Sequence, residues 1–181
     1  MDLKESATYI VFMVLLVLLS AMFSATETAF TSASKSRLKA MDSPKADKVL
    51  LLLEKYNDLL STILIGNNVV NIGLASLGTV FFVSMLKSGG ATVSTIVITI
   101  VVLIFGELTP KGIAKDMPEQ VAIFMTPVME ILILELIVEF YLKIYLKTGF
   151  VPSAELKRVN LLKSSSYQEY YEIFLPLYSI P

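Results

Sequence analysis

Cysteine, histidine and tryptophan are all missing from this 181-residue chain. Without cysteine there is no disulfide and no thiolate metal site, and without histidine the commonest ligand of zinc, copper, nickel and iron is gone. Any metal bound here is bound by oxygen, which points to Mg²⁺, Ca²⁺, Na⁺ or K⁺. Charge is scarce as well: charged residues make up 17% of the chain, hydrophobic ones 55%, and the mean hydropathy is +0.70. That composition falls outside the range of a soluble domain of this length and places the chain in a bilayer. The net charge of −1 gives no argument for nucleic acid, and neither a nucleic-acid partner nor an enzymatic reaction is expected.

Three apolar runs are long enough to span: residues 9–30, 59–86 and 91–105, the last extending through Gly106. Lys4 ahead of an apolar core, with Ser20 and Ala21 as small residues, also fits a secretory signal. Phe23 stands where a small residue is wanted, however, and the polar pattern beyond it continues a helix, which favours a span. The basic residues set the orientation. With the N-terminus outside, the segment between the first two spans is cytoplasmic and carries Lys35, Arg37, Lys39, Lys45, Lys48 and Lys55, while the Ser88–Gly90 loop is outside with Lys87. A fourth apolar stretch, 121–146, decides the rest. If it spans, 7 of the 15 basic residues lie outside; if it does not, only 2 do. Its acids Glu135 and Glu139 continue at four-residue spacing into Lys143 and Lys147, the stripe of an interfacial amphipathic helix, and Pro127 predicts a break into two shorter helices. The expectation is a stretch lying along the cytoplasmic surface, with a fourth span as the alternative.

Polar residues inside the spans recur with helical spacing. Ser20, Ser24 and Thr28 repeat every four residues, so their hydroxyls share one helix face, with Glu27 beside them; Asn67 and Asn71 repeat the spacing in the second span. Glu107 ends a charge-free run that begins at Ala91, and a carboxylate at such a position costs a few kcal/mol unless it is paired, with a cation as the expected partner. Each residue alone has an ordinary reading: a serine bonded to its own helix, an asparagine joining two helices, a glutamate solvated just past the boundary. Together, three segments present hydroxyl, amide and carboxylate oxygens. Pro110 cannot donate to the carbonyl of Gly106, and Gly106 tolerates unusual dihedrals, so a helix break that frees carbonyls toward a cavity is expected there. Gly66, Gly73 and Gly78 allow close helix approach, either around such a site or in a dimer.

The segments Leu19-Ser20-Ala21-Met22-Phe23-Ser24-Ala25-Thr26-Glu27-Thr28-Ala29-Phe30, Leu64-Ile65-Gly66-Asn67-Asn68-Val69-Val70-Asn71 and Phe105-Gly106-Glu107-Leu108-Thr109-Pro110-Lys111 resemble, in that order and separation, the transmembrane domain of the CorC/CNNM magnesium transporters. The resemblance covers roughly residues 5–150. It implies an all-α integral membrane protein, a dimer of three-span protomers with a cytoplasmic belt of short amphipathic helices, and a Mg²⁺ site in an inward-facing cavity. By motif, the family's ligands fall on Ser20, Ser24, Asn67 and Glu107, with Thr28, Asn71 and Gly106 as a second tier. Family members typically continue into a paired nucleotide-binding CBS module. About 30 residues follow Phe150 here, and 151–181 carries no recognisable CBS motif, so the domain reading is 1–150 for membrane domain and belt and 151–181 for a short tail, with no nucleotide expected.

The resulting expectation is a multi-pass cell-membrane protein, N-terminus outside and C-terminus cytoplasmic, that binds Mg²⁺ between its helices and exports it, with Na⁺ as a candidate coupling ion. The alternative, of another class, is a membrane-embedded Mg²⁺ sensor or scaffold acting through a partner without transport.

Overall fold

The computed structural model describes residues 2–148, and every regular element among them is helical. In chain order these are α1 (Leu3–Ser32), α2 (Lys35–Ala40), α3 (Pro44–Glu54), α4 (Tyr56–Leu86), α5 (Gly90–Val101), a π-helical segment (Val102–Leu108), α6 (Thr109–Asp116) and α7 (Pro118–Thr148). Two compact units divide the chain, Met1–Leu134 and Glu135–Pro181. Of the second unit, the described residues are the last turns of α7. The tail call for 151–181 and the side chains of Glu135, Glu139, Lys143 and Lys147 lie outside the described residues.

Three helices are long and apolar enough to cross a membrane: Lys4–Ser32, Tyr56–Leu86 and Gly90–Asp116. At 1.5 Å per residue each is about 40–46 Å long, more than the ~30 Å hydrocarbon core. Large apolar side chains point outward along all three, among them Val11, Leu18, Val69, Ile72, Ile96 and Phe105. Such a band would be a liability in water and is what lipid requires. α1 packs on α4, on the π-helical segment and on α6, and α4 packs on α5. The α4–α5 turn uses Gly89 at φ 79°, and a Cβ on Gly90 would lie 2.5 Å from the Phe82 carbonyl oxygen, so both glycines are required for so tight a return.

The polar segment between the first two spans forms two short helices. Ser34 caps α2 by accepting a bond from the Arg37 N–H, and Pro44 opens α3 where its missing N–H has no intrahelical role. Glu119, at the start of α7 and 6% exposed, accepts from the Ser34 N–H at 2.9 Å and pairs with Arg37 at 3.0 Å, while Lys48 reaches Glu130 at 3.6 Å.

Two expected breaks are not breaks. At Gly106–Pro110 the third helix stays continuous: the chain widens into π geometry, and the Thr109 N–H bonds back to Ile104 O, five residues earlier. A broken backbone in hydrocarbon exposes polar groups, so taking in one extra residue is the cheaper way to meet the proline. In α7, Pro127 lies inside a single 31-residue helix. Thr126, buried beside it, donates to Ala122 O at 2.8 Å and keeps that turn closed, so the ~3 kcal/mol cost of the proline does not separate the two halves.

Candidate functional site

The polar residues of the three spans share one depth. Measured from the end of α1 that leads into α2, the start of α4 after α3 and the end of α6 that leads into α7, Ser20 lies 12 residues inside α1, Asn67 lies 11 inside α4, and Gly106 lies 10 before the end of α6. At helical rise these are about 18, 17 and 15 Å, roughly mid-membrane.

Ser20 is the hub. It is fully buried, and its Oγ lies 2.8 Å from Asn71 Oδ1 and 3.3 Å from Asn67 Oδ1. One hydroxyl proton serves the shorter contact well and the longer poorly. Asn71 Nδ2 in turn donates to Asn67 Oδ1 at 3.4 Å. Three oxygens from two helices therefore crowd together, the 2.8 Å separation being close to the ~2.9 Å edge of an octahedron built at Mg²⁺ bond lengths of about 2.0–2.1 Å and the 3.3 Å one wider. From the third span, a Cβ on Gly106 would sit 3.0 Å from Ser20 Oγ; glycine is what lets the π-helical segment close on the cluster. On the same face, Phe23 lies over Gly66, where a Cβ would fall 2.4 Å from the ring.

Ser24 is one turn further on, also fully buried, and its hydroxyl has no hydrogen-bond partner. The contrast with its neighbours is informative. Thr26, Thr31, Thr62, Ser76 and Thr79 all donate to the carbonyl four residues back, the usual way a hydroxyl is satisfied in a membrane helix. Ser24 does not, and an orphaned buried hydroxyl costs about 1–3 kcal/mol. Thr28, the third residue of the repeat, is half-buried and makes no hydrogen bond to the described residues.

Glu107 follows Gly106 on the π-helical segment and is half-buried, with no hydrogen bond or ion pair among the described residues. Its sequence neighbour Lys111 is turned away, with Nζ 3.3 Å from Glu27 Oε2 on α1. Among the described residues no three acidic, cysteine or histidine side chains gather as a metal cluster. What the fold assembles is a set of neutral oxygens, with one unpaired carboxylate carried by the segment that packs on it.

The structure thus brings together Ser20, Asn67, Asn71 and Gly106, leaves Ser24 unsatisfied beside them, and keeps Glu107 unpaired one residue beyond. Asn71, placed in the second tier by its motif, is the nearest partner of Ser20. Two features were missed from sequence: the Glu27–Lys111 pair and the stacking of Phe23 on Gly66. Glu27 stands beside the serine face in the sequence, but nothing local indicates which cation it meets. The glycine contacts also settle within the chain, since Gly66 meets Phe23 and Gly78 meets Ile98 and Ser94, leaving Gly73 with only Leu16 near, at 3.8 Å.

Residues 10–151 match the family described as the cyclin M transmembrane N-terminal domain. A UPF0053 protein of Haemophilus influenzae is 33% identical over 84% of this chain and 36% of its own length. The UPF0053 inner membrane protein YfjD of Escherichia coli is 38% identical over 66% of this chain and 29% of its own. A chloroplastic DUF21 domain-containing protein of Arabidopsis thaliana is 35% identical over 58% of this chain and 16% of its own. The chain spans about a third or less of the length of these curated relatives.

Proposed function

This chain belongs to the cyclin M transmembrane-domain family, and from that premise and the site geometry we propose that it binds Mg²⁺ between α1, α4 and the π-helical segment and carries it outward across the bilayer, with Na⁺ as the coupling ion. The observation that carries the proposal is a pair of unmet groups on the two segments that pack at the cluster, the buried Ser24 hydroxyl one turn from Ser20 and the Glu107 carboxylate, which follows Gly106 and has no partner among the described residues, with three oxygens already grouped by Ser20, Asn67 and Asn71. Groups left unmet in a folded membrane core have a cost, and a bound cation removes it. One carboxylate offsets half the charge of the ion. Neutral hydroxyl and amide oxygens, and waters that Mg²⁺ gives up reluctantly, complete its shell.

In the same proposal the N-terminus is outside, the α2–α3 segment and α7 form a cytoplasmic belt, and two protomers associate in the membrane. Three spans are few to enclose an ion path while shielding its polar face from lipid, and that supports the dimer. The test is Mg²⁺ flux into liposomes containing only this chain, read with an entrapped Mg²⁺ dye, with and without an opposing Na⁺ gradient. Flux that depends on Glu107 is expected. Tight Mg²⁺ binding with no flux under any gradient would overturn transport in favour of a sensor or scaffold.

A further inference from the structure

Lys111 stands four residues after Glu107, the order in which glutamate and lysine pair most favourably along a helix. The pair is not made. Lys111 Nζ lies 3.3 Å from Glu27 Oε2 on the facing helix α1, and Glu107 has no partner among the described residues.

We propose that Glu27 is a positioning residue for the cation site: by holding Lys111 it prevents that ammonium from neutralising Glu107. Charge counting shows the consequence. With Glu27 present, Glu27 and Lys111 cancel and Glu107 keeps its full negative charge for a cation. With Glu27 neutralised, Lys111 falls to Glu107, the local sum is zero, and a divalent ion must displace an ammonium to bind. Both members of the observed pair are partly solvated, the lysine side chain 41% and the glutamate 29% exposed, so the effect is moderate rather than absolute. The inference rests on the proposed role of Glu107 in ion binding, and its test separates the two.

The first arm contains no Mg²⁺. Thermal melts in detergent with EDTA are recorded for Glu107→Gln, Lys111→Met and the double variant, in the wild-type background and again with Glu27→Gln, which keeps the shape of the side chain. The expected result is additivity of the Glu107 and Lys111 changes in the wild-type background and non-additivity once Glu27 is neutral. The same coupling in both backgrounds overturns the proposal. The second arm is Mg²⁺ calorimetry. Glu27→Gln should weaken binding by roughly three- to tenfold, and adding Lys111→Met should restore it. A plain helix clamp between α1 and α6 predicts the opposite, since removing both partners would not rescue either. Failure of the wild-type chain to bind Mg²⁺ would sink the ion-site reading, while the first arm would still decide whether Glu27 holds Lys111 away.

Discussion

Replacing Ser24 by alanine should make the ion-free protein more stable, against the usual sign for a change in a buried position. The hydroxyl is fully buried and unpartnered, so alanine removes a group whose desolvation costs about 1–3 kcal/mol and leaves only a small void. At about 2–4 °C per kcal/mol for a chain of this size, a relief of 1–2 kcal/mol is a rise of roughly 2–8 °C in Tm. Ser20→Ala is the internal control. It strips Asn71 Oδ1 of its 2.8 Å donor and leaves that amide oxygen unmet, while Asn67 Oδ1 still accepts from Asn71 Nδ2, so Tm should fall by a similar amount. Mg²⁺ should reverse the order: at a hundred times Kd it adds about 2.7 kcal/mol to the wild type, and Ser24→Ala should lose most of that increment. With no tryptophan and no cysteine in the chain, the assay is far-UV circular dichroism at 222 nm in detergent, in EDTA and again in excess Mg²⁺. A drop in ion-free Tm for Ser24→Ala, matching Ser20→Ala, or a full Mg²⁺ increment in that variant, would refute the reasoning.

Glu107→Gln should weaken Mg²⁺ in calorimetry by at least about tenfold, or ~1.4 kcal/mol, because among the described residues the other span carboxylates are Glu27, paired with Lys111, and Glu5, Asp58 and Asp116, at the helix ends; unchanged affinity would make Glu107 a boundary residue. Gly66→Ala forces a methyl to within 2.4 Å of the buried Phe23 ring and should cost about 1–3 kcal/mol, seen as a lower Tm, whereas Gly73→Ala has space and should be nearly silent. Cysteines at Lys4 and Ser88 should react with an impermeant maleimide from outside and those at Lys45, Lys115 and Lys157 should not; labelling at Lys157 would establish a fourth span. A single-cysteine scan from Gly73 to Phe82 should crosslink dimers with helical period, strongest on the outward face of Ala75, Ser76, Thr79 and Val80 and weakest at Gly78, which faces Ile98 within its own chain; a monomeric mass in nanodiscs with no crosslink would rule the dimer out.

The sequence made the serine face of α1 and the asparagine pair of α4 legible because side chains four residues apart on a helix must project together, and that periodicity is local information. The three spans were legible for a similar reason, since apolar length alone sets them, although each helix runs beyond its apolar run: α1 begins at Leu3 rather than at residue 9. Pairings between helices were not legible. Glu27 could have met Lys111, Arg37 or no cation at all, and only the packing of α1 on α6 selects among them. The same holds for Glu119, which joins the α1–α2 corner to α7 from 85 residues away. Pro110 reads as a break in the sequence because the sequence shows the lost donor but not the five-residue register that accommodates it.

That register gives the third span an unusual tolerance. Elsewhere in a membrane helix, deleting one residue rotates everything beyond it by about 100° and shifts it by about 1.5 Å, turning lipid-facing side chains inward. Between Val102 and Leu108 the helix already carries one residue more than an α turn needs, so a deletion there would convert π to α geometry with little disturbance to either flank. The segment beside the candidate site is thus a built-in insertion. It can be removed without reordering the lipid-facing side of the helix.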